Sequence, residues 1–271
     1  MFYKARRKEI KLYDSVIDCI SFGKGNKNLV IIPGVGEGFV SFKGLAIPFA
    51  LMYKKFAKKY KVYVFSRRRV LPKKHNTSDM ADDIIKCLNI LGVDKTSILG
   101  VSLGGMIAQQ IAIKKPLLLD KLVLVVTTPK HNELIDENIT YWIKLAKKKD
   151  YKGIMMDTCN KTYTKNLLLN RLSTSIISLF KPKSFDRFII EAEACMSHDC
   201  LEKISNINCP TLIIAGGQDK ILGLDGSLRL NEKIKNSEIY IYKDYSHGAY
   251  DEAKDFKKRV YNYLKKDNIS N

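Results

Sequence analysis

Ser102 is the residue whose surroundings say most about chemistry. It lies in Gly100-Val101-Ser102-Leu103-Gly104-Gly105, a G-x-S-x-G pattern. An apolar run, Thr96–Gly100, precedes it and a helical pattern, Gly104–Lys114, follows. A serine on so tight a strand-to-helix turn projects its hydroxyl out of the sheet. The turn strains the backbone and crowds the residues two before and two after, and glycine relieves that crowding. The helix starting there aims its N-terminal amides at the same point. The pattern alone is short and common. The strand and helix on its flanks give it weight.

A serine hydroxyl attacks poorly until a base takes its proton. Four histidines are available: His75, His131, His198 and His247. His247 follows the last expected strand, Glu238–Tyr242, and precedes the last expected helix, Asp251–Leu264. A loop at the carboxyl end of a strand can reach the serine turn. An acid should orient the imidazole and stabilise its cation. Asp219, in Gly216-Gly217-Gln218-Asp219, follows the expected strand Thr211–Ala215. Asp225 and Asp244 are the alternatives, and a turn aspartate satisfied by local amides is the plain structural reading.

Three other clusters invite chemistry. Gly34-x-Gly36-x-Gly38 suggests a phosphate loop, but the third glycine is misplaced for G-x-G-x-x-G, no G-K-[ST] follows, and Glu37 would repel phosphate. Cys195, His198, Cys200 and Cys209 suggest zinc, yet no C-x-x-C pair exists. Buried thiols and an incidental histidine are the simpler expectation, with no metal. Ser66-Arg67-Arg68-Arg69 reads as a solvated basic loop or as an attractor for a carboxylate-bearing substrate.

The elements that must position these residues follow from hydrophobic periodicity. Short apolar runs at Leu29–Ile32, Val62–Phe65, Thr96–Gly100 and Leu122–Val126 read as buried strands. A short β-hairpin or meander at Ile10–Leu12 and Val16–Ile20 precedes them. Helical patterns fall at Ile47–Lys59, at Met80–Leu91 capped by Thr77 or Ser78, and at Gly104–Lys114. Such alternation implies an α/β fold, a mostly parallel central sheet with helices on both faces. From Pro129 to about Asn208 only helical periodicity appears, at Ile139–Ala146, Tyr151–Thr158, Leu167–Phe180 and Phe185–Met196. Alternation then resumes, with a helix near Ser227–Ile234. Residues 1–128 and 209–271 are therefore expected to form the core and 129–208 a helical lid. Tyr141, Trp142, Ile143, Met155, Met156 and Phe180 are expected on the lid's underside, with Trp142 and Met155 as substrate contacts.

Leu91-Gly92-Val93 and Gly100 through Ala108 resemble the α/β-hydrolase superfamily and are similar to its esterase, enol-lactonase and haloperoxidase-like branches. With strand order and insertion position, the resemblance spans nearly the whole chain. It implies a serine hydrolase with the triad Ser102, Asp219 and His247, in that chain order. It also implies an oxyanion hole from the backbone N–H groups of Leu103 and Val35. Pro33-Gly34 stands where many relatives carry His-Gly, and Ser66–Arg69 where relatives often carry an Asp-x-Arg-Gly turn. The implied reaction is hydrolysis of a small, largely apolar ester or lactone through an acyl-enzyme, without a cofactor. An acyltransferase or perhydrolase would use the same groups, and a non-catalytic small-ligand sensor is the reading from a different class.

Composition sets the outer bounds. The 271 residues are 45% hydrophobic, which is globular composition. No apolar run reaches the roughly 18–20 residues of a bilayer span, and the basic start has no signal-peptide core after it. A cytoplasmic protein without membrane insertion is expected, with six reduced cysteines, as a monomer or homodimer. The net charge of +19 is spread over lysines on nearly every amphipathic segment. No nucleic-acid module is recognisable, and no nucleic-acid partner is expected.

Overall fold

A computed structural model describes residues 3–266. Its strands are β1 (Arg6–Lys11), β2 (Val16–Phe22), β3 (Lys27–Ile32), β4 (Tyr60–Arg68), β5 (Thr96–Val101), β6 (Leu119–Val125), β7 (Thr211–Gly216) and β8 (Ser237–Tyr242). They form one sheet in the order β1-β2-β4-β3-β5-β6-β7-β8. β1 and β2 are antiparallel to their neighbours. From β4 to β8 every pairing is parallel. The carboxyl ends of β3, β5, β7 and β8 therefore share one edge, and the strand order reverses at β3, where a crevice opens.

Each parallel strand is apolar on both faces, as burial on both sides requires. Val30 and Ile32 of β3 join one core cluster, and Leu29 and Ile31 join the other. This alternation is the period-2 signature of a strand. The first face is covered by α2 (Thr77–Ile90), α3 (Leu103–Lys114) and α8 (Asp225–Lys233). The second is covered by α1 (Ala46–Met52), α9 (Ala249–Glu252) and α10 (Phe256–Lys265). Between β6 and β7 stand α4 (Glu133–Lys147), α5 (Tyr151–Thr162), α6 (Leu167–Ile177) and α7 (Asp186–Met196). Of these, α4 and α7 add Ile135, Trp142, Phe188 and Ala192 to the first cluster.

Several boundaries differ from the expectation. The helix expected over 47–59 stops at Met52, because the turns after it are bound elsewhere: the Lys24 amide donates to the Ala57 carbonyl (2.9 Å). The cap of α2 is Asn76, whose side chain accepts from the Ser78 and Asp79 amides at 2.8 and 3.1 Å. The last helix is broken in two at residues 253–255.

The basic run after Phe65 is the largest correction. It continues β4, so Arg67 and Arg68 are buried, at 2% and 7% exposure, and do not form a solvated loop. Arg68 is clamped by Asp83 (2.6 Å) and Asp14 (2.7 Å), and Arg69 by Asp18 (2.9 Å). Neither Arg67 nor Arg68 lines the cavity described below, so neither can draw a substrate carboxylate into it.

Candidate active site

Ser102 sits at the junction of β5 and α3 with φ 55° and ψ −121°. A non-glycine residue there is strained, and the surroundings must hold it. They do so through its peptide groups. Its amide donates to the Val125 carbonyl (2.9 Å). Its own carbonyl accepts from the Gly105 amide (2.8 Å), the Met106 amide (3.1 Å) and the Thr127 hydroxyl (2.9 Å). The crowding expected two residues either side is present. A β-carbon on Gly100 would lie 2.7 Å from the Gly105 Cα, and one on Gly104 would run into the Ile32 and Pro33 carbonyls.

The loop after β3 approaches from the next strand. A β-carbon on Gly34 would come within 3.3 Å of the Ser102 Cβ. Residues Val35–Phe39 then make a short 3₁₀ helix. Val35 and Leu103 are the first residues of two helices that both begin beside Ser102. Among the described residues, neither amide has a hydrogen-bond acceptor outside its own helix. Unsatisfied N–H groups of this kind are ready donors for an anion.

His247 and Asp219 arrive from the far side of the sheet. Asp219 lies in the loop after β7 and is buried. Its Oδ1 accepts from the Ile221 and Leu222 amides (2.8 and 3.0 Å). Its Oδ2 pairs with His247 Nδ1 at 2.8 Å. One carboxylate oxygen thus serves the local backbone and the other meets the imidazole. A carboxylate can only accept, so Nδ1 carries the proton and Nε2 is left to accept. The loop of His247 is tied to the inserted helices, with the Gly248 amide donating to the Thr162 carbonyl (2.8 Å). The alternatives Asp225 and Asp244 are exposed, and among the described residues neither hydrogen-bonds His247.

Ser102, His247, Gly34 and Val35 line one cavity of about 380 Å³. Its walls are largely apolar: Phe39, Ile139, Trp142, Ile154, Met155, Phe188, Ile221 and Leu222 among them. Asn170, Ser173 and Thr174 of α6 add a polar strip. Trp142 and Met155, expected from the sequence, are both on the wall. The Trp142 ring nitrogen donates to Asp157 Oδ2 (2.7 Å), which fixes the indole. Tyr141 and Phe180, expected underneath with them, are exposed instead. Besides His247, no basic side chain lines the cavity among the described residues.

Two features behind the site were not readable from the sequence. Arg67 Nη2 donates to the Pro33 carbonyl at 2.5 Å, bracing the loop that carries Val35. Glu37, buried in the 3₁₀ helix, accepts from the Ser66 hydroxyl and from Arg187 of α7 (2.7 Å). That ion pair links the loop to an inserted helix across 150 residues of sequence. No local pattern signals such a pair. The four residues considered for zinc are not gathered. His198 meets Thr77 (2.9 Å) and Cys200 (3.5 Å), whereas Cys195 faces the cavity. Among the described residues, no three histidine, cysteine or acidic side chains group to hold a metal ion.

The family profile described as the α/β hydrolase fold matches residues 27–151. Over 202 residues the chain is 30% identical to a 2-hydroxy-6-oxononadienedioate/2-hydroxy-6-oxononatrienedioate hydrolase of Klebsiella pneumoniae, covering 69% of this chain and 68% of that one. An α/β hydrolase from a Medee basin deep-sea metagenome library superposes with a TM-score of 0.86. It is 20% identical and covers 97% of this chain and 99% of its own. The enol-lactonase of Burkholderia xenovorans superposes with a TM-score of 0.80 at 14% identity, covering 96% and 100%. At those identities the two structures speak for the fold alone.

Proposed function

The chain belongs to the α/β-hydrolase fold family, and from that premise we propose that it hydrolyses a small, largely apolar carboxylic ester or lactone through an acyl-enzyme on Ser102. The observation that carries this is the strained Ser102 sharing one apolar cavity with His247, itself paired to Asp219. In the proposed reaction Ser102 Oγ attacks the carbonyl carbon and His247 Nε2 takes its proton. The amides of Val35 and Leu103 hold the oxyanion. The intermediate collapses, the alcohol leaves with the proton from Nε2, and the acyl group stays on Oγ. A water then attacks, again losing its proton to Nε2, and Ser102 is released with the acid. In a lactone the alcohol stays attached to the acyl chain, and the same steps open the ring.

The walls argue for the substrate class. A dioate such as the one named for the Klebsiella relative would need cations for its carboxylates. Among the described residues the lining offers His247 as its sole basic side chain, whereas its apolar bulk suits an acyl chain. Transfer to an acceptor other than water uses the same groups, and a product analysis with added alcohol or peroxide distinguishes the two.

The test is turnover of a chain-length series of p-nitrophenyl esters by wild type and Ser102→Ala. Wild type should favour esters that fill the cavity over the acetate. The variant should fall by about 10³-fold or more on every ester. An inactive wild type that still binds apolar acids tightly would turn the reading towards a ligand sensor.

A further inference from the structure

Helix α6 is oriented against the usual rule, by which a surface helix buries its apolar stripe. Asn170, Ser173 and Thr174 line the cavity. Leu168, Leu169, Leu172 and Ile176 face outward, with Leu168 73% and Ile176 62% exposed. The two sets follow separate three-to-four-residue rows on one helix. The apolar surface continues past the helix end through Leu179 and Phe180, the latter 78% exposed. Contiguous exposed apolar surface of this kind marks a contact with something else.

Charge decides what that is. Around the stripe stand Lys165, Arg171, Lys181 and Lys183, all exposed, and no aspartate or glutamate occurs from residue 158 to 185. Asp186, just past that run, is exposed beside Lys181 and Lys183 and accepts from the Ser184 hydroxyl (2.7 Å), which leaves the patch still strongly cationic. Three other acidic side chains, on or beside the inserted helices, are already engaged. Asp157 holds Trp142 and Lys161, Asp251 holds Tyr163, and Glu252 accepts from the Thr164 and Lys165 amides. A second copy meeting this patch across a two-fold axis would bring the same cations face to face. An anionic lipid surface supplies what the patch lacks. Its headgroups answer the lysines and its acyl zone takes Leu, Ile and Phe side chains. The cavity also opens here, because Val40 and Ile177 line it and are themselves 40% and 51% exposed.

We propose that Leu168 to Phe180 form a seat for an anionic lipid surface and bring the mouth of the Ser102 cavity against the bilayer. The seat lies on the membrane and does not cross it: among the described residues no helix is long and apolar enough to span one. Binding stands on the patch alone. Only its use, admitting an apolar acyl substrate from the lipid phase, rests on the ester reading.

The experiment is cosedimentation of the full chain with phosphatidylglycerol vesicles and with phosphatidylcholine vesicles, at low and high salt. Wild type and Ser102→Ala should both bind the anionic vesicles, bind the neutral ones far less, and weaken with salt. The double variant Leu172→Asn/Ile176→Asn should lose roughly tenfold or more in affinity for the anionic vesicles. Its melting temperature should stay that of wild type, which shows that it folds. No binding by wild type overturns the proposal. So does full binding by a folded double variant, which would assign the attraction to scattered lysines. A dimer that this variant dissociates in sedimentation velocity, without vesicle binding, overturns it in favour of a second copy. Vesicle binding by a wild type that cleaves no ester leaves the seat in place and removes the ester reading.

Discussion

Ser102 is held less by its side chain than by its peptide groups, with four hydrogen bonds fixing a conformation that serine ordinarily avoids. Asp219 is divided between two tasks, bracing its own loop through Oδ1 and fixing the His247 tautomer through Oδ2. Asp219→Asn keeps the amide acceptor for the loop and replaces the acceptor for Nδ1–H with a donor. Ester turnover should fall by about 10³- to 10⁴-fold with little change in KM, read from steady-state kinetics. An unchanged kcat would mean that the pair is structural only. At this scale the sequence was legible wherever a residue lies in the loop just after a short apolar strand. Ser102, Asp219 and His247 all lie in such loops, which is why their shared edge could be anticipated. Arg67 and Arg68 were not legible, because Pro33, Asp14 and Asp83, which neutralise or bind them, come from distant segments.

Among the elements, the loop after β3 is the part whose shape matters most for the proposed oxyanion site. It is braced from two sides, by Arg67 of β4 and by Arg187 of α7. Burial would lower the charge of Arg187, but the Glu37 carboxylate outweighs it and holds the guanidinium above its ordinary range. Burial, with the charge of Glu37 beside it, pushes the Glu191 carboxyl well above the usual carboxylate range. Removing Arg187 would leave the Glu37 charge buried without its partner. Arg187→Ala should cost about 3 kcal/mol in urea denaturation. Glu37→Gln/Arg187→Ala, which removes both charges, should recover part of that loss. A single variant as stable as wild type would refute the brace. Strand positions in the core were legible because apolar periodicity is local, whereas the helix expected over 47–59 ends early and the last helix is split. The pair Glu37–Arg187 was hidden because nothing in either segment marks the other. The outward face of α6 was hidden because periodicity shows that a helix has an apolar side but not which way that side points.

For the whole molecule, the inserted helices are fastened to the core at many polar points, Arg187–Glu37, Asn138 with the Lys220 and Ile221 carbonyls, and the Thr164 and Lys165 amides on Glu252 among them, and His198 is another. It joins the turn after α7 to Thr77 at the start of α2 (2.9 Å). Burial holds its imidazole down to about 4, from an ordinary 6.5. The folded chain therefore keeps it neutral while the unfolded chain takes up a proton below about pH 6.5. Stability from this residue is complete above that pH and is lost as the pH falls towards 4, by about 3 kcal/mol in all. His198→Gln should flatten the fall of Tm between pH 6.5 and 4 relative to wild type, and parallel curves would contradict the assignment.

The proposed activity turns on one covalent bond, at Ser102, and an activity-based fluorophosphonate probe reads it most directly. After labelling, digestion and peptide mapping, the adduct should sit on Ser102 alone and should be absent from Ser102→Ala. It should form far more slowly in His247→Ala. Label on any other residue, or equal labelling of wild type and Ser102→Ala, would contradict the assignment of Ser102 as the nucleophile.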